Sequence, residues 1–120
     1  MKHEKVKPKK KILITGGTGL LGTLWSRSLR EKYTIILASQ REIKSKIEFP
    51  LVKLDLFNHK EIISYINNNS IDIIVNLVAL ANVEFCEKDV DLAYRLNKKI
   101  PKEVAIACEK TKCKMIHIAT

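Results

Sequence analysis

A doubly wound α/β sheet of five parallel strands, in the order 3-2-1-4-5, is the fold class this sequence predicts, and three observations predict it. Short apolar runs alternate along the chain with stretches whose apolar residues recur every three to four positions. The first run, Ile12-Leu13-Ile14, reads as a buried parallel strand and passes straight into glycines that can open a tight turn into a helix. The segments between successive runs are long enough for the right-handed crossovers that parallel strands need.

The first strand is expected over 11–15 and the first helix over 20–31, where Leu21, Trp25 and Leu29 recur every fourth residue and form an inner face. A second strand, 33–38, has the β-branched and apolar content of a central strand and ends in Ser39-Gln40-Arg41. Residues 42–49 are charged, with room for one helical turn, and Pro50 breaks them from a short third strand, 51–54, that ends at Asp55. Asn58-His59-Lys60-Glu61 has the form of a capping box, a cap residue followed three places later by an acid. It starts a helix over 59–67 that buries Ile62, Ile63 and Ile66, and Asn67-Asn68-Asn69 terminates it. A fourth strand covers 72–77. A long helical region follows over 83–112, with a polar break at Lys88-Asp89, and the fifth strand covers 114–119.

With 120 residues, 46% of them hydrophobic, the chain can bury one compact core. Cys86, Cys108 and Cys113 are an odd number without paired spacing, which points to free thiols in a reducing compartment. No apolar run reaches the length of a membrane span, and no apolar segment follows the first lysines as in a secretory signal, so a cytoplasmic location without membrane partners is expected. The net charge of +9 is uneven: residues 1–11 hold six lysines and one glutamate, a balance of +5 that leaves +4 for the rest. Such a tail can touch nucleic acid or anionic lipid, but no aromatic residue interleaves with the lysines. The favoured reading is a solubilising leader over 1–10, ahead of one domain over 11–120, and nucleic acid is not expected as a partner. His3 has no metal-ligand partner nearby, and no metal site is expected.

Ligands of doubly wound sheets lie outside the carboxyl ends of the strands, near the point where strand order reverses. After strand one, Gly16 lets the chain turn, Gly19 leaves room for a pyrophosphate beside the backbone, and Gly22 lets the helix lie close to the strand. Together with Thr18, Leu20 and Leu21, these glycines form the expected phosphate cradle of a dinucleotide-binding, Rossmann-like domain, with the helix N-terminus facing the phosphates. After strand two, Ser39 and Arg41 stand where an NAD site usually has an acid. A hydroxyl and an arginine suit a 2′-phosphate, so NADP is favoured and NAD stays possible, while Arg41 can equally be a solvated surface residue. Asp55, with Leu56 beside it, can accept from an adenine amino group or serve the loop. Leu77, Val78 and Ala79 end strand four as a pocket wall, and a buried Asn76 must find a partner. Asn97, a poor choice in mid-helix, lies four residues before Pro101, which cannot donate to its carbonyl; the helix either frees that carbonyl or simply breaks nearby.

Several motifs give the chain a family resemblance. Thr15-Gly16-Gly17-Thr18-Gly19-Leu20-Leu21-Gly22 matches T-G-x-x-G-x-x-G, and Asn76-Leu77-Val78-Ala79 continuing through Val83-Glu84-Phe85-Cys86-Glu87 resembles N-A-A-A-x-x-x-V-D-x-x-E. Ala93 to Asn97 follows A-x-x-V-N, and Ile116-His117-Ile118-Ala119-Thr120 resembles I-H-I-S-T. On these residues the chain resembles the extended short-chain dehydrogenase/reductases, and within them the dTDP-4-dehydrorhamnose reductase group. The resemblance runs from Lys11 to Thr120 and departs at Leu77 and Val78, which replace small alanines.

The resemblance implies a cofactor-binding part of an NADP-dependent reductase acting on a nucleotide-sugar ketone, with Thr120 at the Ser/Thr position of a catalytic Ser/Thr, Tyr and Lys. In the family the Tyr-x-x-x-Lys follows the Ser/Thr position; here Tyr33 and Tyr65 have no lysine four residues later, and Tyr94, which has Lys98 at that spacing, lies before Thr120 within the A-x-x-V-N stretch. Proton donation to the substrate oxygen therefore needs groups beyond these residues. A nucleotide-sugar partner is expected if a downstream domain exists, and self-association is expected through the open side of strand five. The competing reading is a noncatalytic dinucleotide-sensing or regulatory subunit, since the regulatory subunit of methionine adenosyltransferase resembles the same group.

Overall fold

In the computed structural model the described residues are 8–16, 20–40, 42–43, 46–77, 91 and 98–118, with the side chains of Leu20 and Leu21 excepted. They form β1 (Lys10–Thr15), α1 (Leu20–Leu29), β2 (Tyr33–Ser39), β3 (Leu51–Lys53), α2 (His59–Asn69), β4 (Ile73–Asn76), α3 (Ile100–Thr111) and β5 (Lys114–His117). The strands make one five-stranded sheet in the order β3-β2-β1-β4-β5, every neighbouring pair parallel, as the sequence predicts.

Burial on both faces explains the continuous apolar strands. Along β1, Ile12 and Ile14 point into a cluster with Ile35, Leu37, Val75 and Leu77, against which Trp25 and Leu29 of α1 pack. Leu13 points the other way, into a cluster built with Ile62 and Ile66 of α2 and Ile100, Val104, Ala107 and Cys108 of α3. Helices thus cover both faces. The fourfold spacing of Trp25 and Leu29 does mark the inner side of α1.

The element ends differ from expectation for local reasons. α1 ends at Leu29 rather than residue 31, and β3 closes at Lys53, one residue early. α2 runs two residues past the expected end. Asn69 donates its side-chain amide to the Tyr65 carbonyl (3.0 Å), and the turn is made by Ser70, in the left-handed region at φ 53°. The N–H of Ile71 then closes on the Ile66 carbonyl at 3.1 Å. The capping box is only half formed: Asn58 Oδ1 accepts from the Lys60 N–H (3.1 Å), whereas Glu61 accepts from the Asp55 N–H (2.7 Å). α3 has no side-chain cap. Residues 98 and 99 form a wider π-type turn that enters the helix already helical, and Pro101 sits in the first turn, where a missing N–H is tolerated. The expected break at Lys88-Asp89 lies outside the described residues.

Cys108 and Cys113 are free and buried. The neighbouring Cys113 thiol, together with burial, pushes Cys108 up, while the interaction with Cys108 holds Cys113 down against the upward effect of its own burial. Cys86 lies outside the described residues. No helix among the described residues is long and apolar enough to cross a membrane.

Candidate functional site

β1 lies at the centre of the sheet, and the chain passes from β3 on one side of it to β4 on the other. The order of strands therefore reverses at the carboxyl ends of β1 and β4, where doubly wound sheets bind ligands. The residue that leaves β1 there is Gly16, at φ 70°. This left-handed turn directs the chain toward α1, whose first turn contains no acid to offset its exposed N–H groups. Gly22 is buried within α1, and its carbonyl accepts the Ser26 hydroxyl at 2.7 Å. Thr18 and Gly19 lie outside the described residues, and Leu20 and Leu21 contribute only backbone to this account.

The adjoining strand ends are tied together by polar groups. The Leu77 N–H reaches both the Thr15 carbonyl (3.0 Å) and the Thr15 hydroxyl (3.2 Å). Thr15 also meets the side-chain oxygen of Asn76, and the Asn76 Nδ2 lies 3.0 Å from His117 Nδ1. Thr15 and Asn76 are fully buried, and Asn76 has a partner at each end of its amide, as a buried asparagine requires. Leu77 is 2% exposed, with its side chain in the core cluster against which α1 packs, so the expected wall residue is a core residue here. Val78, Ala79, Asn97 and Thr120 lie outside the described residues.

On the other side of β1, Ser39 ends β2 half-buried, and its carbonyl accepts the Leu54 N–H (2.9 Å). Arg41 lies outside the described residues. Gln40, which sequence reasoning passed over, proves to be the staple of this corner. Its Nε2 donates to Asp55 Oδ1 (3.2 Å) and its Oε1 accepts the Leu56 N–H (2.7 Å). A carboxamide and a carboxylate at the carboxyl ends of neighbouring strands were the available signal. Asp55 Oδ1 also accepts the Phe57 N–H (3.0 Å), closing an Asx turn, while Oδ2 takes no partner among the described residues. Asp55 therefore organises its loop with one oxygen, and the other is unengaged among the described residues. Leu56 is 1% exposed in the core, so only its backbone is available to a ligand.

Arranged along the carboxyl edge are a left-handed glycine turn, a helix N-terminus and a carboxylate held by a carboxamide. Groups of three or more metal-ligating side chains are absent among the described residues. The family model described as RmlD substrate binding domain matches residues 10–120. The probable low-salt glycan biosynthesis reductase Agl14 of Haloferax volcanii is 26% identical over 107 residues, which cover 89% of this chain and 36% of that protein. The structure of a hypothetical dTDP-4-dehydrorhamnose reductase from Sulfolobus tokodaii superposes with a TM-score of 0.73 at 29% identity, over 91% of this chain and 38% of that one. A dTDP-4-dehydrorhamnose reductase from Clostridium acetobutylicum superposes with a TM-score of 0.67 at 27% identity, over 88% of this chain and 34% of that one.

Proposed function

The chain belongs to the RmlD substrate-binding-domain family, and from that premise we propose that it is the cofactor-binding part of an NADP-dependent reductase acting on the ketone of a nucleotide-sugar. The observation that carries this reading is the Gly16 turn, at φ 70°, on the central strand where strand order reverses. A Cβ at that position would meet the following carbonyl and fill the space a pyrophosphate needs. The residues present fit a dinucleotide. The glycine turn and the start of α1 hold the phosphates, and Asp55 Oδ2 accepts from the adenine amino group. Ser39 with Arg41 receives the 2′-phosphate, which favours NADP over NAD.

When bound, the nicotinamide supplies a hydride to the substrate carbonyl. This chain's residues bind and orient: Leu77, Val78, Ala79 and Asn97 are assigned to the cofactor, and Thr120 to orienting the substrate oxygen. Proton donation needs a tyrosine with a lysine beside it, and the Tyr-x-x-x-Lys in these 120 residues, Tyr94 to Lys98, precedes Thr120 in the stretch assigned here to cofactor binding, where the family's pair follows the Ser/Thr position. The chain spans 36% of the length of the Haloferax relative, so the activity of the whole protein rests on more than is described above.

Calorimetric titration of the chain with NADPH and NADH tests the reading. NADPH should bind more tightly, and Arg41→Ala should weaken NADPH selectively, by about 1.5–3 kcal/mol for a charge-assisted contact. Binding of neither dinucleotide would sink the proposal, and equal losses for both would remove Arg41 from the 2′-phosphate.

A further inference from the structure

Thr15, Asn76 and His117 stand side by side in the register of three adjacent strands, Thr15 opposite Asn76 and Asn76 opposite His117. From their hydrogen bonds we infer that they form a one-directional relay that fixes the His117 tautomer, with Nδ1 accepting and the ring proton on Nε2, and that His117 is thereby a positioning residue for the strand ends at the cofactor site. The functional half of this inference rests on the cofactor reading above; the relay itself does not.

The direction follows from donor and acceptor capacity. The Leu77 backbone N–H can only donate, and it reaches the Thr15 hydroxyl oxygen at 3.2 Å. The Thr15 hydroxyl proton must then go elsewhere, and Thr15 is fully buried. Its one acceptor among the described residues is the side chain of Asn76, which therefore presents Oδ1 to Thr15 and Nδ2 to His117. Turning the amide over would leave the Thr15 proton buried without an acceptor, although no buried side-chain nitrogen or oxygen among the described residues lacks a partner. Nδ2 donates, so the His117 Nδ1 at 3.0 Å must accept, and an accepting Nδ1 carries no proton. The remaining ring proton sits on Nε2, which has no partner among the described residues.

The relay crosses the reversal point of the sheet. It begins one residue before the Gly16 turn, passes one residue before Leu77, and ends three residues before Thr120 in the sequence. Main-chain bonds follow the same line: the Leu77 N–H to the Thr15 carbonyl (3.0 Å) and the Ile118 N–H to the Asn76 carbonyl (3.3 Å). Breaking the side-chain relay should loosen these two amides and with them the ends of β4 and β5.

Nitrogen-15 NMR of the whole chain at about pH 8, above the ordinary histidine range, reads the tautomer directly. Nδ1 of His117 should resonate as an unprotonated ring nitrogen and Nε2 as a protonated one; the reverse pattern overturns the relay. N76D places an acceptor opposite Nδ1 and should invert that pattern or protonate both nitrogens. An unchanged pattern in folded N76D also overturns the relay. H117L should speed hydrogen exchange of the Leu77 and Ile118 amides at least about tenfold. H117N, whose side-chain oxygen can take the place of Nδ1, should restore it. Equal exchange in H117L and wild type, or no rescue by H117N, overturns the positioning role. If N76D does not fold, the wild-type spectrum decides the tautomer and the two His117 variants decide the positioning. NADPH affinity should fall at least about fivefold in H117L and recover in H117N, and undiminished affinity in H117L removes His117 from the site. A wild-type chain that binds no dinucleotide would instead count against the cofactor reading, while the spectrum and the exchange rates still decide the relay.

Discussion

At φ 70° the Gly16 backbone lies where any Cβ crowds the following carbonyl, at a cost of about 1–2 kcal/mol. Gly16→Ala should lower the free energy of unfolding by that amount in urea titrations, and abolish NADPH binding beyond what the lost stability explains. Gln40 makes a different demand. Replacing it with alanine strands the Leu56 N–H and removes one donor from Asp55, and about 1–2 kcal/mol of stability should be lost. The same variant should weaken an adenine nucleotide such as AMP, measured by calorimetry, because Asp55 would lose its anchor. Unchanged AMP affinity in folded Gln40→Ala would show that the carboxamide serves the loop alone. Gly16 was legible in the sequence because a glycine after an apolar run has few other uses. Gln40 was not, because its partners lie 15 and 16 residues away and nothing local marks the pairing.

Helix ends show the same division between local and distant causes. Asn58 was readable as a cap because its acceptor serves an N–H two residues on. The Glu61 partner was not, since the acid passes over the cap to the Asp55 N–H. Ser70 closes α2 at φ 53°, a conformation glycine adopts without penalty. Ser70→Gly should therefore raise stability by up to about 1 kcal/mol, seen as a higher urea midpoint at unchanged slope. The segment before β3 is held to α1 by Glu48, which accepts from Arg27 (3.0 Å) and Arg30 (2.5 Å). The hydrogen bond from Arg27, aided by the charges of both arginines, holds the Glu48 carboxyl below its usual range. A lowered folded value means that the stabilisation is present above the ordinary carboxylate range and disappears as pH falls through the folded value. Glu48→Gln should flatten the acid limb of the urea midpoint against pH. High salt should shrink the difference from wild type, because the pair faces water.

Across the whole molecule, strand order was legible because both faces of the sheet are apolar and the glycine turn names its first strand. What periodicity could not reveal was which polar groups stitch the strands together, because those bonds run across the sheet and not along the chain. β5 is an edge strand, and Ile116 on it is 37% exposed. An unpaired edge with an exposed isoleucine favours self-pairing. The 120-residue chain should sediment as a concentration-dependent dimer or larger species, and Ile116→Lys should shift it to monomer; a monomeric wild-type chain at high concentration would refute this. The central place of β1 has a last consequence, for how the molecule melts. Heat or denaturant should loosen β3 and β5 well before the middle of the sheet. The Gly16 turn is therefore rooted in the last strand to let go, whereas the residues proposed for the adenine and nicotinamide ends of a cofactor follow strands nearer the rim. A dinucleotide stretched over all of them would work as a clasp across the sheet, and the slowing of exchange it brings should be greatest at the two rims and least at the hub.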